Sequence, residues 1–327
     1  MAVGFAMESP RVLHAGQAEI AKLKAEYPAA RERLEQAYSR VRASGRLGKS
    51  LAALESGAWN EVRIDIVDGR RKAVMQARRA TAPGVYDPYH EYVYCVGRET
   101  MFEADRDLPD GGPYTLSDVG RRTPEGATSG DGAIVSKFDE SAGKYIFAPF
   151  RMHGWDDFDW FDEKSHEITS AEAIRRDGEG VLRFEYRSKP GEAGSLPVSG
   201  RVEVLPGRSW VVRRHELNGA TRPVGLPNVH GKPYTIVLEV EYGGDRDGIP
   251  VPARVQYSGT FGESIFAFDE IEFGATAPER EFTPEFYRLP DITALAPDPA
   301  RSYTMYWLFG LATMALATAI ILKKRAA

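Results

Sequence analysis

A single cysteine, Cys95, stands among the 327 residues. One thiol excludes an internal disulfide and any cysteine-built zinc site within one chain. In "EYVYCVG" it reads as a small buried apolar residue. Basic charge is not in excess. The net charge of −5 gives none of the cationic face on which nucleic-acid binding rests, so no nucleic-acid partner is expected. Catalytic signatures are missing too. There is no Gly-x-Ser-x-Gly elbow and no His-Glu-x-x-His pair, and His14, His90, His215 and His230 stand singly. His215, in a strand beside Arg213 and Arg214, is read as lying on a solvated face. No cofactor is expected, and an enzyme is not the first reading. No self-similarity at a period of roughly 20–50 residues marks a repeat architecture.

What is present is an ordinary globular composition, 43% apolar and 27% charged, enough for a sizeable core. One run departs from it. "YTMYWLFGLATMALATAIIL", Tyr303 to Leu322, has no charge over 20 residues. A helix of that length rises about 30 Å, the depth of a bilayer's hydrocarbon core. Tyr303, Tyr306 and Trp307 crowd one end, as rings do at the headgroup level, and Lys323, Lys324 and Arg325 follow the other. We therefore expect one transmembrane helix at 303–322, a cytoplasmic basic tail at 323–327, and a periplasmic or otherwise extracytoplasmic body. The opening "MAVGFAMESPRVLHAG" has neither the apolar core nor the basic start of an export signal. That orientation needs a start upstream of Met1; the alternative is a tail-anchored protein with a cytosolic body.

Ahead of the span the hydrophobic period changes once. Ile20, Leu23, Leu34, Tyr38 and Val41 sit at helical spacing and predict a helix over 15–47, divided at Pro28, after an unstructured start at 1–14. From about residue 60 the period is two. Val62, Ile64 and Ile66 alternate with Arg63 and Asp65. Leu182, Phe184 and Tyr186 share a face, as do Tyr234, Ile236, Leu238, Val240 and Tyr242. Asp68-Gly69, Gly97 and Pro206-Gly207 mark turns. Clean alternation with short connections predicts antiparallel strands with one wet and one covered face, the cover being the leading helix. Residues 106–142, rich in Gly, Asp, Pro and Ser, are expected to form a loop insertion, and the Pro-rich 276–302 a tether to the membrane. The fold class is α+β over 15–275, plus the one C-terminal transmembrane helix.

Three stretches invite a functional reading. "ASGRLGKS", Ala43 to Ser50, fits a loose phosphate-binding loop. Such a loop needs a strand before it and a helix after it. The residues before it read as helical, so Gly45 and Gly48 are expected to end that helix, and nucleotide binding is not expected. In "RMHGWDDFDWFDEKSHE", Arg151 to Glu167, five acids lie between His153 and His166. A metal would draw on His153, His166, Asp157 or Asp162, but their spacing matches no ligand motif, and no metal is assigned. Trp155, Phe158 and Phe161 recur every three residues with Trp160 beside them, so the patch reads as packing or as a lid over an apolar cavity. "GGDRDGIPVPARVQY" lacks the ligand number and terminal Glu of a calcium loop. It reads as a polar hairpin entering the Val255–Tyr257 strand.

The order of elements over 15–275 is a leading helix, a run of antiparallel strands, a loop-helix insertion and a final set of strands. It resembles the superfamily of lipoprotein-sorting carriers with the LolA/LolB-like fold, which also includes periplasmic sensor domains of the RseB type. "YGGDRDGIPVPARVQY", Tyr242 to Tyr257, is similar to that superfamily's strand, polar turn and G-I-P-x-P entry into the next strand. The resemblance implies a strongly curved half-barrel sheet wrapped around helices, an apolar concave pocket, and the bacterial cell envelope as setting. The chain departs from the diffusing carriers in having no lipobox-like Cys near its start and in carrying a membrane span. The expected function is a membrane-anchored, non-enzymatic module that binds a lipid or lipopeptide in the half-barrel cavity. Trp155, Phe158, Trp160 and Phe161 would form its lid, and Tyr234, Ile236, Leu238 and Val240 part of its wall. An envelope sensor or protein-interaction domain without a cavity is the first alternative, and an uncharacterised hydrolase the second.

Overall fold

The computed structural model describes the backbone of residues 10–109, 111–122, 128–129, 133–152, 161–162, 164–189, 198–219 and 233–290. The expected membrane span at 303–322 lies outside them. Among the described residues no helix is long and apolar enough to cross a membrane.

The leading helix, α1, runs from Pro10 to Tyr38, so residues 10–14 are helical and not an unstructured start. Leu23, Tyr27, Ala30, Leu34 and Tyr38 recur at steps of three and four and are all buried, the stripe by which a helix gains its stability from packing. The helix is not divided at Pro28. That ring lies on the exposed side, where it displaces no packed side chain. The helix also stops nine residues before the expected end. Arg40–Gly48 is a strand, β1, in which Val41, Ala43 and Gly45 face inward. Val41 serves the helical and the two-residue period equally well, which is why the boundary was misplaced. Ser50 then caps a short helix, α2 (Leu51–Glu55), its hydroxyl accepting from the Ala53 N–H at 3.2 Å.

"ASGRLGKS" is therefore the body of a strand and the cap of a five-residue helix. Its first glycine answers a packing demand. A Cβ at Gly45 would stand 2.4 Å from the Ala267 carbonyl oxygen and 2.4 Å from the Phe266 ring. Gly45 lies at a bulge against the last strand, where two backbones and a phenyl ring converge.

The strands that follow are β2 (Trp59–Val67), β3 (Arg70–Ala82), β4 (Val85–Val96), β5 (Thr100–Asp107), β6 (Thr115–Arg122) and β7 (Thr128–Ser129). A helical stretch comes next: α3 (Ala133–Phe138), a wide π turn at Asp139–Gly143, and α4 (Lys144–Ile146). Thus 106–142 is not one loop; its Gly- and Asp-rich composition conceals two strands and a helix. The second run is β8 (His166–Arg176), β9 (Glu179–Ser188), β10 (Val198–Leu205), β11 (Val211–Gly219), β12 (Tyr234–Arg246), β13 (Ile249–Gly259) and β14 (Ser264–Phe273).

Among the described residues these fourteen strands form one open, curved antiparallel sheet, in the order β7-β6-β5-β4-β3-β2-β1-β14-β13-β12-β11-β10-β9-β8. Each strand pairs with its neighbour in sequence, except at β1–β14 and at the two edges. Two meanders are thus joined by one long-range seam, in which Val41 to Gly48 pair with β14. The half-barrel wraps α1, which lies against β8 and β1, and the α3–α4 stretch, which lies against β3, β4, β5 and β13. Their side chains meet in one core containing Leu23, Leu34, Phe138, Tyr145, Phe184 and Leu238. Hydrogen bonds tie the stretch to the sheet: Tyr257 Oη donates to the Lys144 carbonyl at 2.9 Å, the Val212 N–H to the Pro149 carbonyl at 2.8 Å, and Lys137 Nζ to the Glu103 carboxylate.

The convex face is not uniformly wet. Val67, Val93, Cys95, Phe102 and Ala104 point outward there and are buried under Ala277, Phe282, Tyr287 and Leu289. Residues 276–290, expected to be the first part of a tether of limited flexibility, are a strap built on two 3₁₀ turns, Glu279–Phe282 and Pro284–Tyr287. Each buried aromatic or leucine of such a strap contributes about 1.5–3 kcal/mol. Polar contacts set its register: Lys72 Nζ bridges Asp65 and Glu281 at 3.0 Å each, and the Cys95 thiol donates to the Phe282 carbonyl at 3.4 Å. The prolines that suggested a tether shape its turns.

Candidate functional site

The inward face of β12 carries Tyr234, Ile236, Leu238 and Val240, as the alternation predicts. Cross-strand register extends this face into rows. Ile236 stands opposite Leu217 and Gly259; Leu238 stands opposite His215 and Tyr257. Beyond β11 the rows continue through Gly200 and Tyr186, and through Val202 and Phe184. At one end of the rows two tyrosines lie flat on glycines. A Cβ on Gly200 would meet the Tyr186 hydroxyl at 2.4 Å, and one on Gly219 would meet the Tyr234 ring at 2.3 Å. Only glycine leaves room for a ring along the sheet there.

This laid-down tyrosine reaches a buried histidine. Tyr186 Oη and His215 Nε2 are 2.7 Å apart, with His215 only 1% exposed. The His166 ring meets Tyr186 edge-on at 5.4 Å. Burial, with Tyr234 adding to it, holds the Tyr186 phenol well above its ordinary value, so it stays protonated and able to donate. The reading of His215 as solvated is corrected: Arg213 is the extra residue of a bulge between the Glu203–Arg214 and Val204–Val212 pairs, which resets the alternation. Counting back by twos from buried Leu217 places His215 inside, and that was the available signal.

Tyr234, Ile236, Leu238 and Val240 are each no more than 5% exposed and belong to the core shared with α1 and α4. Of the four aromatic residues read as a lid, Trp155, Phe158 and Trp160 lie outside the described residues. Phe161 packs at the edge of the core, its ring 5.1 Å from Tyr27 in an edge-to-face contact. It thus joins the cover over the concave face contributed by α1. Of the residues considered for a metal, His153 and Asp157 lie outside the described residues. Asp162 accepts from the Ser165 hydroxyl at 2.7 Å and from the Lys164 N–H at 3.0 Å. Those bonds, the hydroxyl's first, lower its pKa. Among the described residues no group of three or more His, Cys, Asp or Glu is placed to hold a metal ion.

The opposite face of β8–β12 is ionic. Glu203, 1% exposed, is held by Arg183 and Arg176, both at 3.0 Å. Beside it opens a cleft of about 400 Å³ that includes Arg176, Arg208, Arg213 and Arg214. Each of these arginines already has a carboxylate: Glu203, Asp245, Asp177 and Glu239 respectively. The cleft is a lattice of matched charges and makes no anion cradle.

Fold and site together define an α+β half-barrel whose concave apolar face is closed by helices and whose convex face is strapped on one half and ionic on the other. No family model and no curated protein matches the chain. It is similar to a solved DUF1329 family protein from Desulfovibrio piger, with a TM-score of 0.36 and 12% identity over 81% of this chain and 99% of that one. It is similar to a LolA superfamily protein from Nitrosomonas europaea, with a TM-score of 0.34 and 9% identity over 80% and 99%. A third is MucB in complex with MucA(peri), at 0.13 and 11% over 76% and 100%.

Proposed function

We propose that this protein is a membrane-anchored, non-enzymatic binding module of the bacterial envelope whose half-barrel takes up an apolar ligand, a lipid or lipopeptide. The observation that carries the reading is the inward row Tyr234, Ile236, Leu238 and Val240, a continuous apolar strand face covered by helices and not by a second sheet. The leading helix α1 meets the sheet through its side chains, as in the Trp210–Glu26 bond, so it can shift as a unit, whereas a sheet-on-sheet cover would need its own strand pairing broken. The row is closed in the structure, so uptake requires Phe161 and α1 to move aside. The Tyr186–His215 pair lies within the rows, His215 opposite Leu238, where a ligand's polar end would meet it. The apolar run Tyr303–Leu322 with Lys323, Lys324 and Arg325 after it would hold the body on the outer side of its membrane.

Native mass spectrometry of the full chain, extracted from its membrane and released from mild detergent, tests the reading. A bound lipid of defined mass, lost in an Ile236→Asp/Leu238→Asp variant that stays folded, is the expected result. A clean protein mass with no uptake of added fatty acid ends the lipid reading. The second reading, a protein-interaction domain without a ligand cavity, would then stand. It is favoured by the near-complete burial of the four wall residues under the chain's own side chains.

A further inference from the structure

The sheet is split at one place. β13 pairs with β12 from Ile249 to Gly259, but with β14 only from Arg254 to Tyr257. β14 continues without β13, paired to β1 as far as Phe273. Between the parted strands lies an open groove of about 610 Å³, floored by Ser44 and walled by Val251 and Pro252 on one side and by Phe268 to Ile271 on the other. The sequence explains the split. Continuing the register of Arg254 opposite Ala267 would set Pro252 opposite Asp269 and Pro250 opposite Ile271. Proline has no N–H to give to a ladder. Asp247 and Gly248, both at positive φ (53° and 73°), form a two-residue turn. In such a hairpin the flanking residues Arg246 and Ile249 bond each other, so Pro250 turns its carbonyl away from β12. The Tyr38 hydroxyl reaches that carbonyl at 3.4 Å, and a second lone pair remains on it.

The other wall is also short of a ladder partner. The Gly274 N–H donates to the Arg40 carbonyl at 2.8 Å, which fixes the phase of β14. Glu272 and Glu270 then face β1, and Ile271 directs its backbone groups into the groove. Its carbonyl accepts the guanidinium of Arg246, reaching across from the hairpin tip. A cationic side chain thus occupies the place of a missing strand. Asp269 is matched by Arg46 and Asp245 by Arg208. Among the described residues Glu270, exposed at the rim, has no ion-pair partner. The groove therefore offers the Ile271 carbonyl, now taken by Arg246, and the Glu270 carboxylate, while Pro252 in its wall has no N–H to give.

We propose that this groove is a docking site for an extended segment of a partner protein bearing arginine or lysine, which adds to the free edge of β14 and displaces Arg246. A strand-like guest supplies the N–H groups that Pro250 and Pro252 lack, and its cation meets Glu270. Val251 and Phe268, both partly exposed, are placed to take its apolar side chains.

Fluorescence anisotropy with the full chain tests this, using a labelled peptide of alternating valine and arginine, its glutamate counterpart, and an N-methylated form of the basic peptide that cannot pair as a strand. The basic probe is expected to bind, with the N-methylated form and the Glu270→Lys variant each about tenfold weaker or more. A Pro250→Val/Pro252→Val variant restores the donors, lets β13 close on β14 and loses the site while remaining folded by circular dichroism. Glu270 is exposed, so its substitution serves if the double variant does not fold. Three results would overturn the proposal: no binding of the basic probe at about 1 mM, equal binding of the N-methylated form, or unchanged affinity in Glu270→Lys. Because the concave row takes no part, loss of lipid uptake in Ile236→Asp/Leu238→Asp leaves this site intact.

Discussion

Gly45→Ala is the substitution on which the reading of "ASGRLGKS" rests. Where a strand has room, replacing glycine by alanine stabilises by about 0.4–1 kcal/mol, because the unfolded chain loses freedom. At Gly45 the added Cβ would lie 2.4 Å from the Ala267 carbonyl oxygen and from the Phe266 ring. The oxygen belongs to a paired backbone, and Phe266 is fully buried, so neither yields freely. Overpacking of this kind costs about 1–3 kcal/mol. With a urea dependence of roughly 3 kcal/mol per molar, the midpoint should fall by about 0.3–1 M. The control is Gly180→Ala in β9, where nothing lies within 4 Å of an added Cβ and φ is not positive; its midpoint should hold or rise. Urea unfolding followed by tryptophan fluorescence reads both. Equal midpoints for the two variants would refute the argument that backbone approach, and not phosphate recognition or a helix end, places glycine at this position.

Three further outcomes follow from particular contacts. Phe282→Ala should destabilise by about 3–5 kcal/mol and speed the reaction of Cys95 with a thiol reagent, since that buried thiol, its pKa raised by desolvation, lies under the strap; unchanged labelling would mean the strap does not cover it. Tyr186→Phe removes the 2.7 Å bond to His215 and should cost about 1–2 kcal/mol in thermal unfolding, a loss that a solvated His215 would not produce. Burial pushes the Glu91 carboxyl up, but bonds from Tyr114, Gln76 and Arg106 outweigh it and hold the group below its ordinary value. Their stabilisation is full above the unfolded carboxyl's value of 4.5 and lost as pH falls through the lower folded value. Melting temperature should therefore drop more steeply below about pH 4 in the wild type than in Glu91→Gln, and parallel curves would count against it.

Much of the half-barrel was legible because its strands obey a two-residue rule over long runs. Val62, Ile64 and Ile66, and the row from Tyr234 to Val240, are inward-facing as read. Boundaries failed where one residue satisfies two periods, as Val41 does, and where composition misled, as in 106–142. The Tyr186–His215 pair was missed because a bulge shifts the alternation of β11 at Arg213, and a bulge depends on the partner strand.

The amino-acid sequence by itself determined the α+β class, the antiparallel habit, the inward apolar rows and the apolar run at 303–322, because each is a local matter of spacing, turn residues or length. Only the tertiary structure decided that β1 closes on β14, that 276–290 straps the convex face, and that two prolines hold the sheet open beside β14. Those facts depend on which residues, more than 200 positions apart for Lys72 and Glu281, are brought together. Such proximity comes from strand pairing and burial across the whole chain, which no local pattern encodes.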